Sequence, residues 1–392
     1  MSTPSRDVVS DGPAGPLGSG GSGGPGGPRE PGMPYGADSS AHHSGRPGVL
    51  PAALLTATFV AIALTAALSF IGLPYVVMSP GPATNILGES DGKPLLVVEG
   101  ATTYPTDGTL DFTTVNVEGG PGAKVTLYDV ARAWLDDAEE VVPVDQVFPP
   151  DADEEQVEEE GAAEMAESQS VATATALRAL GRDVDEMVVI AGVPDGSPSA
   201  GLLEPEDVIV SIDGDPATSA DAVRAAVQRH GPGESIPVVV RRDGAERTVT
   251  IRTGESEGQT VIGVGLGLDY DLPVDVTLNT GSVGGPSAGL MFSLAIYDVL
   301  TPGELNGGKD VAGTGTMQDD GTVGPIGGIR QKVVGARQAG AEYFLAPAEN
   351  CAELEGAVPD GLSVFRVGTF DEGLASVEAI ASGDTSSLTT CG

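Results

Sequence analysis

The stretch Gly281-Ser282-Val283-Gly284-Gly285-Pro286-Ser287-Ala288-Gly289 places four glycines and one proline around Ser287. An apolar run from Leu290 to Leu300 follows it and predicts a buried helix, which Pro302 would end. Ser287 therefore lies where a glycine-rich loop enters a helix. Unpaired N–H groups and the positive end of the helix dipole at such a position stabilise a developing oxyanion. Taken alone, Ser287 is better explained as a capping serine in a tight turn, because Ser is a preferred N-cap residue.

A second glycine-rich stretch, Gly324-Pro325-Ile326-Gly327-Gly328, leads into a predicted helix that begins at Ile329 and that Gly340 would end. At helical spacing, Lys332 falls on the apolar face of this helix. A lysine at that position either extends its ammonium group to water or is held in a dry site with a lowered pKa. The second alternative gives a neutral amine that can take a proton from a serine.

Together, the two stretches resemble the proteolytic domain of the Lon protease family, which uses a Ser–Lys dyad. The sequence Gly285-Pro286-Ser287-Ala288-Gly289 matches the nucleophile motif of the family, and Pro325-Ile326-Gly327-Gly328-Ile329-Arg330-Gln331-Lys332 matches its lysine motif. The resemblance covers residues 257–383 and implies that Ser287 and Lys332 are the catalytic residues. It also implies a compact fold similar to the second domain of ribosomal protein S5.

The same resemblance gives supporting roles to three further residues. Ala312-Gly313-Thr314-Gly315-Thr316 resembles the strand whose threonine steadies the lysine, which assigns that role to Thr314. Backbone N–H groups around Gly285 and Ser287 are expected to hold the oxyanion, and Pro286 belongs to the same supporting loop.

The motif Gly285–Gly289 also satisfies the G-x-S-x-G pattern of the α/β-hydrolase nucleophile elbow. That fold places its catalytic histidine after the serine in the chain. The histidines, His42, His43 and His230, all precede Ser287. A hydrolase triad is therefore excluded, and lysine remains as the base.

The composition narrows the classes of function. The chain has 392 residues and a formal net charge of −38, which argues against nucleic-acid binding because neutralising phosphates requires a basic surface. Gly119–Thr126 lacks the second glycine of a Walker A motif, so we expect neither ATP nor another cofactor. The acidic run Asp151–Glu160 could bind a cation, but such runs are more typical of a solvated linker or helix face, and no metal is predicted.

The N-terminal part predicts a membrane anchor. Residues 1–48 are rich in Gly and Pro and predict a disordered tail. No charged residue occurs from Val49 to Met78, and residues 49–73 are long enough for a transmembrane helix in the lipid bilayer. A cleaved signal peptide is the alternative, but its apolar stretch is shorter and begins nearer the N-terminus. Arg46 precedes the run and Lys93 is the next basic residue, so the positive-inside rule places the tail in the cytoplasm and the rest of the chain outside.

The middle of the chain predicts two further segments. Residues 74–165 alternate short strands with turns and predict a β-rich segment that ends in the acidic linker. Residues 166–256, which include a preceding helix, resemble a PDZ domain. The resemblance is carried by Met187–Val193, Gly196–Leu203, Asp207–Gly214 and a helix from Ser219 to Arg229. It implies that protein or peptide substrates add as an extended strand at the sheet edge.

The α+β order of anchor, β-rich segment, PDZ domain and Lon-type domain resembles bacterial membrane-anchored PDZ–Lon proteins. The resemblance implies a serine endopeptidase that works outside the cytoplasm without ATP, as a homo-oligomer. In that location Cys351 and Cys391 predict a disulfide that ties the C-terminal tail, residues 384–392, to the last domain; two unrelated thiols are the alternative. The rival function is a non-catalytic PDZ adaptor on a Lon-like scaffold. Val283-Gly284 gives it some weight, because the family usually has a charged pair there.

Overall fold

The computed structural model describes residues 49–68, 72–90, 92–150 and 152–392, so the predicted disordered tail of residues 1–48 lies outside the described chain. Helix α1 spans Val49–Leu68. Among the described residues, no helix is both long and apolar enough to cross a bilayer. The predicted transmembrane helix over residues 49–73 is therefore not confirmed: α1 ends at Leu68, and residues 69–71 lie outside the described part of the chain.

Residue contacts divide the chain into one unit that ends at Val60 and another from Ala61 to Gly392, and both large sheets lie in the second unit. Its first part contains β1 (Tyr75–Asn85), β2 (Glu89–Ser90), β3 (Lys93–Pro94), β4 (Leu96–Glu99), β5 (Thr109–Glu118), α2 (Leu127–Ala133), β6 (Glu140–Pro143) and α3 (Glu154–Ala179). The middle part contains β7 (Asp185–Gly192), β8 (Val208–Ile212), β9 (Asp215–Pro216), α4 (Ala220–Gln228), β10 (Ser235–Arg242), β11 (Ala245–Arg252), β12 (Gly254–Ser256), β13 (Gln259–Val261) and β14 (Gly265–Asp271). The last part contains β15 (Asp275–Leu278), α5 (Gly289–Leu300), β16 (Asp310–Gly313), β17 (Thr316–Met317), β18 (Val323–Gly324), α6 (Ile329–Ala339), β19 (Tyr343–Pro347), β20 (Ser363–Val367) and α7 (Phe370–Ser382).

One six-stranded sheet joins the first and last parts of this unit, in the order β20-β19-β16-β5-β1-β6. β16 runs parallel to β5 and β19, and β19 runs parallel to β20, whereas β1 is antiparallel to β5 and β6. The structure thus corrects the predicted separation of residues 74–165 from the last domain. Local strand patterns could not show this pairing, because the partners β5 and β16 lie far apart in the sequence.

Alternating side chains on this sheet face two helical layers, because successive residues of a strand point to opposite faces. Val311, Leu345 and Phe365 lie in one core, which α3, α5 and α7 cover. Ala312, Phe344 and Val364 lie in a second core, which α6 covers. The mixed α+β class is confirmed, and the two layers bring the helix after Ser287 and the helix of Lys332 to the same sheet.

Helix α3 begins at Glu154, inside the acidic run that the sequence predicts as a linker ending at residue 165. The Asp153 side chain accepts from the Gln156 N–H, and the Gln156 side chain accepts from the Asp153 N–H, which forms a capping box. The glutamates of the acidic run are exposed, whereas the helix is buried from Ala172 to Leu177. The acidic run is therefore a solvated helix face and not a linker.

The second six-stranded sheet has the order β11-β10-β8-β7-β14, with β9 beside β8. Its strands lie in the chain between β6 and β16, which both belong to the first sheet. The chain enters this sheet through β7 and leaves it through β14, and Asp185 at the start of β7 pairs with Asp271 at the end of β14. The sheet does not follow the predicted boundary between residues 256 and 257, because β14 completes it as an edge strand. Helix α3, predicted as part of the PDZ domain, packs in the other core.

The C-terminal tail is held in place beside β20. The Arg366 N–H donates to the Thr389 carbonyl, and the Cys391 N–H donates to the Val364 carbonyl. Cys351 and Cys391 form a disulfide, as the sequence predicts. The tail is therefore an integral part of the last domain.

Candidate active site

Ser287 lies at the end of the loop that joins β15 to α5. Helix α5 begins at Gly289, and Ala288 occupies the N-cap position without a side-chain hydrogen bond. Ser287 is therefore not the capping serine that its position in a turn suggests, and its hydroxyl is available to another partner. Gly289 permits a close approach, because a Cβ there would lie 2.8 Å from the Met317 backbone nitrogen.

Lys332 lies in the first turns of α6, whose N-cap Gly328 has a φ of 69°. Its side chain is 2 % exposed, and its Nζ lies 2.7 Å from Ser287 Oγ. Burial lowers the pKa of Lys332 from 10.5 to about 7, because desolvation disfavours the charged ammonium. Of the two alternatives for a lysine on an apolar helix face, the structure therefore selects the dry site.

Thr314 is buried beside both residues. Its Oγ1 donates to the Ser287 carbonyl at 2.9 Å and accepts from Lys332 Nζ at 3.0 Å. Because the hydroxyl proton is directed at the carbonyl, a lone pair faces the amine. The Gly315 N–H also donates to the Ser287 carbonyl, at 2.8 Å. This strand end thus fixes the Ser287 backbone and the Lys332 amine together.

The expected oxyanion donor at Gly285 is already engaged. The Gly285 N–H donates to the Gly161 carbonyl of α3 at 2.9 Å. Pro286, which has no N–H, accepts at its carbonyl from Ser168 Oγ of the same helix at 3.1 Å. The structure places Gly285 and Pro286 beside Ser287, but in contact with α3 and not around an open oxyanion site.

Gly161 and Ser168 are residues of this site that the sequence analysis did not identify. They share one face of α3 with the buried Met165, at spacings of four and seven residues. This spacing is the signal in the sequence that indicates a packed face. The surrounding glutamates mask it, since they mark the same segment as solvated.

A cavity of about 820 Å³ opens beside the loop that joins β15 to α5, which we call the serine loop. Gly281–Gly285, Val147–Pro149 and the exposed first half of α3 line it. Glu164 lines it as well, and burial together with repulsion from neighbouring glutamates raises the pKa of Glu164. Ser287 is partly exposed, so a polypeptide segment in this cavity would lie next to the serine loop.

A second cavity, of about 480 Å³, lies between α4 and the edge strand β14. Val223 and Val227 line the helix side, and the turn Ile262–Leu266 lines the strand side. Because β14 is the last strand of the sheet, an added strand could pair with its outer edge. This turn was not identified from the sequence, since a short glycine-containing turn has no distinguishing pattern.

The described residues offer no grouping of three or more His, Cys, Asp or Glu side chains that could hold a metal ion. The donors that converge at Ser287 are a hydroxyl, an amine and backbone groups. The chemistry that this arrangement supports is proton transfer from the serine to the lysine.

Residues 254–377 match the family model of the Lon protease (S16) C-terminal proteolytic domain, and residues 167–253 match that of the PDZ domain. Ser287, Thr314 and Lys332 all lie in the first of these matches. The chain therefore carries a PDZ domain and a Lon-type proteolytic domain. The proteolytic match begins at the start of β12, so it leaves out β1, β5 and α3, which also surround the site.

Similar proteins include Lon protease 1 of Sorangium cellulosum, 38 % identical over 108 residues, which are 27 % of this chain and 13 % of the relative. Lon protease 1 of Thermus thermophilus is 39 % identical over 87 residues, which are 22 % of this chain and 11 % of the relative. This chain thus spans only 11–13 % of the length of these relatives. Among solved structures, the PDZ domain of the SdrC-like protein from Listeria monocytogenes aligns with 20 % of this chain and 85 % of that domain, at 22 % identity and a TM-score of 0.19.

Proposed function

We propose that this protein is a serine endopeptidase with a Ser287–Lys332 dyad. The observation that carries the proposal is the 2.7 Å contact between Lys332 Nζ and Ser287 Oγ at a lysine that is 2 % exposed. Because burial lowers the Lys332 pKa to about 7, a large fraction of the amine is neutral near pH 7 and can act as a base, and the match to a Lon-type proteolytic domain supports the same reaction.

In this mechanism the Lys332 amine takes the proton of the Ser287 hydroxyl while Oγ bonds to the peptide carbonyl carbon. The carbonyl oxygen takes the negative charge. The carbon–nitrogen bond then breaks, and the Lys332 ammonium returns the proton to the leaving amine. Lys332 next takes a proton from a water molecule, which attacks the acyl-enzyme ester and releases Ser287 with that proton.

Use of the Gly285 N–H as an oxyanion donor requires a change at α3. The Gly285 N–H now donates to the Gly161 carbonyl, so it can reach a substrate oxyanion only after that carbonyl has moved away. In the proposed reaction the substrate carbonyl replaces Gly161 as the acceptor. The cavity beside this contact provides the space for the substrate chain.

The test compares wild-type protein with Ser287→Ala and Lys332→Arg on unfolded protein substrates without ATP. Both variants should lose cleavage, since a guanidinium does not act as a base at neutral pH. Ser282→Ala in the same loop and Lys309→Arg at an exposed lysine are the matched controls and should cleave normally. Full activity of Lys332→Arg would exclude the dyad.

The pH dependence of cleavage follows from the Lys332 pKa. Burial lowers this pKa to about 7, and only the neutral amine accepts the serine proton. The rate of Ser287 acylation should therefore rise as the pH increases through about 7 and level off above it. Acylation rates measured with a serine-directed probe from pH 5 to 9 check this, and a rate that rises only near pH 10 would contradict it.

The cavity between α4 and β14, which we call the PDZ groove, is proposed to bind exposed ends or unfolded segments of substrate proteins and to bring them to the active site. The open edge of β14 and the apolar α4 side chains support this role. Substitution of Val227→Arg in the groove should weaken cleavage of protein substrates. Cleavage of a short peptide that does not reach the groove should stay unchanged.

We also expect the protein to assemble into a homo-oligomer. Analytical ultracentrifugation of the protein measures its oligomeric state.

Membrane attachment is proposed from the sequence. Residues 49–78 carry no charge, and the basic residue Arg46 precedes them, so the PDZ and proteolytic domains would lie outside the cytoplasm. Wild-type protein should stay in the membrane fraction after alkaline carbonate extraction, and external protease should digest the domains on intact spheroplasts. Phe59→Asp should release it, because a carboxylate at a helix centre costs about 3 kcal/mol on insertion. Wild-type protein in the soluble fraction would refute the anchor.

A non-catalytic PDZ adaptor is the second candidate function. One observation favours it: the Gly285 N–H that an oxyanion needs is occupied by Gly161. Covalent labelling by a serine-directed phosphonate distinguishes the two candidates. Labelling that is lost in Ser287→Ala supports the peptidase, whereas its absence in the wild-type protein supports the adaptor.

A further inference from the structure

Four side chains tie the PDZ domain to the hairpin of β17 and β18. Arg178, at the end of α3, contacts Glu186 of β7 at 2.9 Å through Nη2 and donates to the Asp319 carbonyl at 3.0 Å through Nη1. Its guanidinium lies 5.3 Å from the ring centroid of Tyr270 on β14. The Tyr270 hydroxyl donates to the Asp319 carboxylate. These four residues, the neck cluster, lie where the chain enters and leaves the PDZ sheet.

The neck cluster holds Asp319 from two sides. Arg178 fixes its carbonyl, and Tyr270 fixes its carboxylate. Tyr270 is 4 % exposed, and burial raises its pKa, so its hydroxyl keeps the proton that it donates. Two of the four residues, Glu186 and Tyr270, belong to strands of the PDZ sheet.

Asp319 lies in the turn of a hairpin whose two ends lead to the residues around Ser287. β17 pairs with β18 through Thr316 to Gly324 and Met317 to Val323. Thr314, which contacts the Lys332 amine, lies two residues before this hairpin, and the residues after β18 lead into α6 and Lys332. A displaced turn would therefore disturb the supports of both members of the proposed dyad.

We propose that the PDZ sheet supplies positioning residues to the active site: Tyr270 on its edge strand β14 and Glu186 on β7, acting through the neck cluster, hold the β17–β18 hairpin and with it the contact between Ser287 and Lys332. This inference rests on the proposed peptidase function. It differs from substrate delivery, because the neck cluster acts with the PDZ groove empty.

The first test measures the Lys332 amine directly, with no substrate. The chain contains four lysines, Lys93, Lys124, Lys309 and Lys332, so NMR of protein with ¹³Cε-labelled lysine resolves their titrations. The Lys332→Arg variant assigns the Lys332 signal by its loss. We expect Tyr270→Phe and Asp319→Asn each to raise the Lys332 pKa by about one unit, because a loosened hairpin admits water to the amine.

The matched control is Tyr343→Phe. Tyr343 is a partly buried tyrosine that stacks on Phe365 with ring centroids 6.4 Å apart and is not part of the neck cluster. Its substitution should leave the Lys332 titration unchanged. Unchanged Lys332 titrations in both Tyr270→Phe and Asp319→Asn would overturn the inference, whether or not the protein is a peptidase.

The second test uses a chromogenic peptide ester that is too short to occupy the groove and the active site together. Tyr270→Phe should lower kcat about fivefold at pH 7 with little change in KM, because a pKa raised by about one unit leaves less of the amine neutral, and the loss should shrink at pH 9. Wild-type kcat in this variant would show that the PDZ domain only delivers substrates. If the wild-type protein neither cleaves the ester nor reacts at Ser287, the proposed peptidase function fails, while the NMR titration still decides the role of the neck cluster.

Discussion

Burial of Lys332 has a cost in stability that depends on pH. The pKa of this amine is about 7 in the folded protein, whereas a lysine exposed to water in the unfolded chain has a pKa of 10.5. Between these two pH values the unfolded chain therefore binds more protons than the folded protein. Stability therefore increases as the pH rises from about 7 to about 10. The same desolvation that lowers the Lys332 pKa therefore lowers the stability of the folded protein near pH 7.

We expect Lys332→Met to be more stable than the wild-type protein at pH 7, by about 2–4 kcal/mol, because it removes the buried amine at similar volume. The advantage should shrink as the pH rises toward 10.5, because only above that value is the wild-type amine neutral in both the folded and the unfolded state. Denaturant unfolding at several pH values measures the difference. A difference that does not vary with pH would mean that Lys332 is not desolvated in the folded protein.

Thr314 is the residue whose hydroxyl connects the Ser287 carbonyl with the Lys332 amine. Thr314→Val keeps the shape but removes both hydrogen bonds, so kcat should fall about 10- to 100-fold, equivalent to about 1–3 kcal/mol. Thr314→Ser keeps the hydroxyl and should retain most of the activity. The rate of Ser287 acylation, measured in a single turnover, compares the two variants. Equal rates in Thr314→Val and Thr314→Ser would show that the Thr314 hydroxyl has no role in the reaction.

At the scale of elements, helix α3 has two different halves. Its first half is acidic and exposed, but one face of it contacts the serine loop through Gly161 and Ser168. Its second half is buried against α5 and ends at Arg178 in the neck cluster. One helix therefore contacts both the serine loop and the strands of the PDZ sheet.

The contact between α3 and the serine loop leaves little space at Gly284. A Cβ there would lie 3.2 Å from Gly161 backbone atoms, so Gly284→Ala should lower stability by about 1–3 kcal/mol through crowding. In the control Gly161→Ala, the nearest atom to the new Cβ is 3.6 Å away, and a helical alanine should be neutral or stabilising by up to about 1 kcal/mol. Denaturant unfolding compares them, and equal effects would contradict the close contact.

The sequence predicted the elements whose signals are local. The positions of Ser287 and Lys332 at helix starts follow from glycines and apolar spacing within about ten residues of each. The contact from Ser168 to the Pro286 carbonyl spans 118 residues and involves a backbone acceptor, which leaves no pattern in the side chains. The pairing of β5 with β16 and the edge position of β14 depend in the same way on partners far along the chain.

At the scale of the molecule, the disulfide closes the last domain. Cys351 and Cys391 are separated by 40 residues, and Cys391 is buried beside the residues that α6 covers. A loop of this length gives a loss of about 2–5 kcal/mol when the bond is absent. Cys391→Ser and Cys351→Ser should therefore lower Tm by similar amounts, and the wild-type protein should match them in the presence of a reductant. Unaltered melting would show that the tail hydrogen bonds alone hold the domain together.

The paired ends of the PDZ sheet make this position a natural site for grafting. Because Asp185 and Asp271 lie opposite each other in antiparallel strands, a foreign receptor domain with adjacent termini could replace residues 185–271 without opening the sheet beneath it. If the graft also supplied a tyrosine at the position of Tyr270, it would restore the support of Asp319. Hydrolysis of a coloured ester by the chimera would then measure whether the proposed active site depends on the domain inserted at this position.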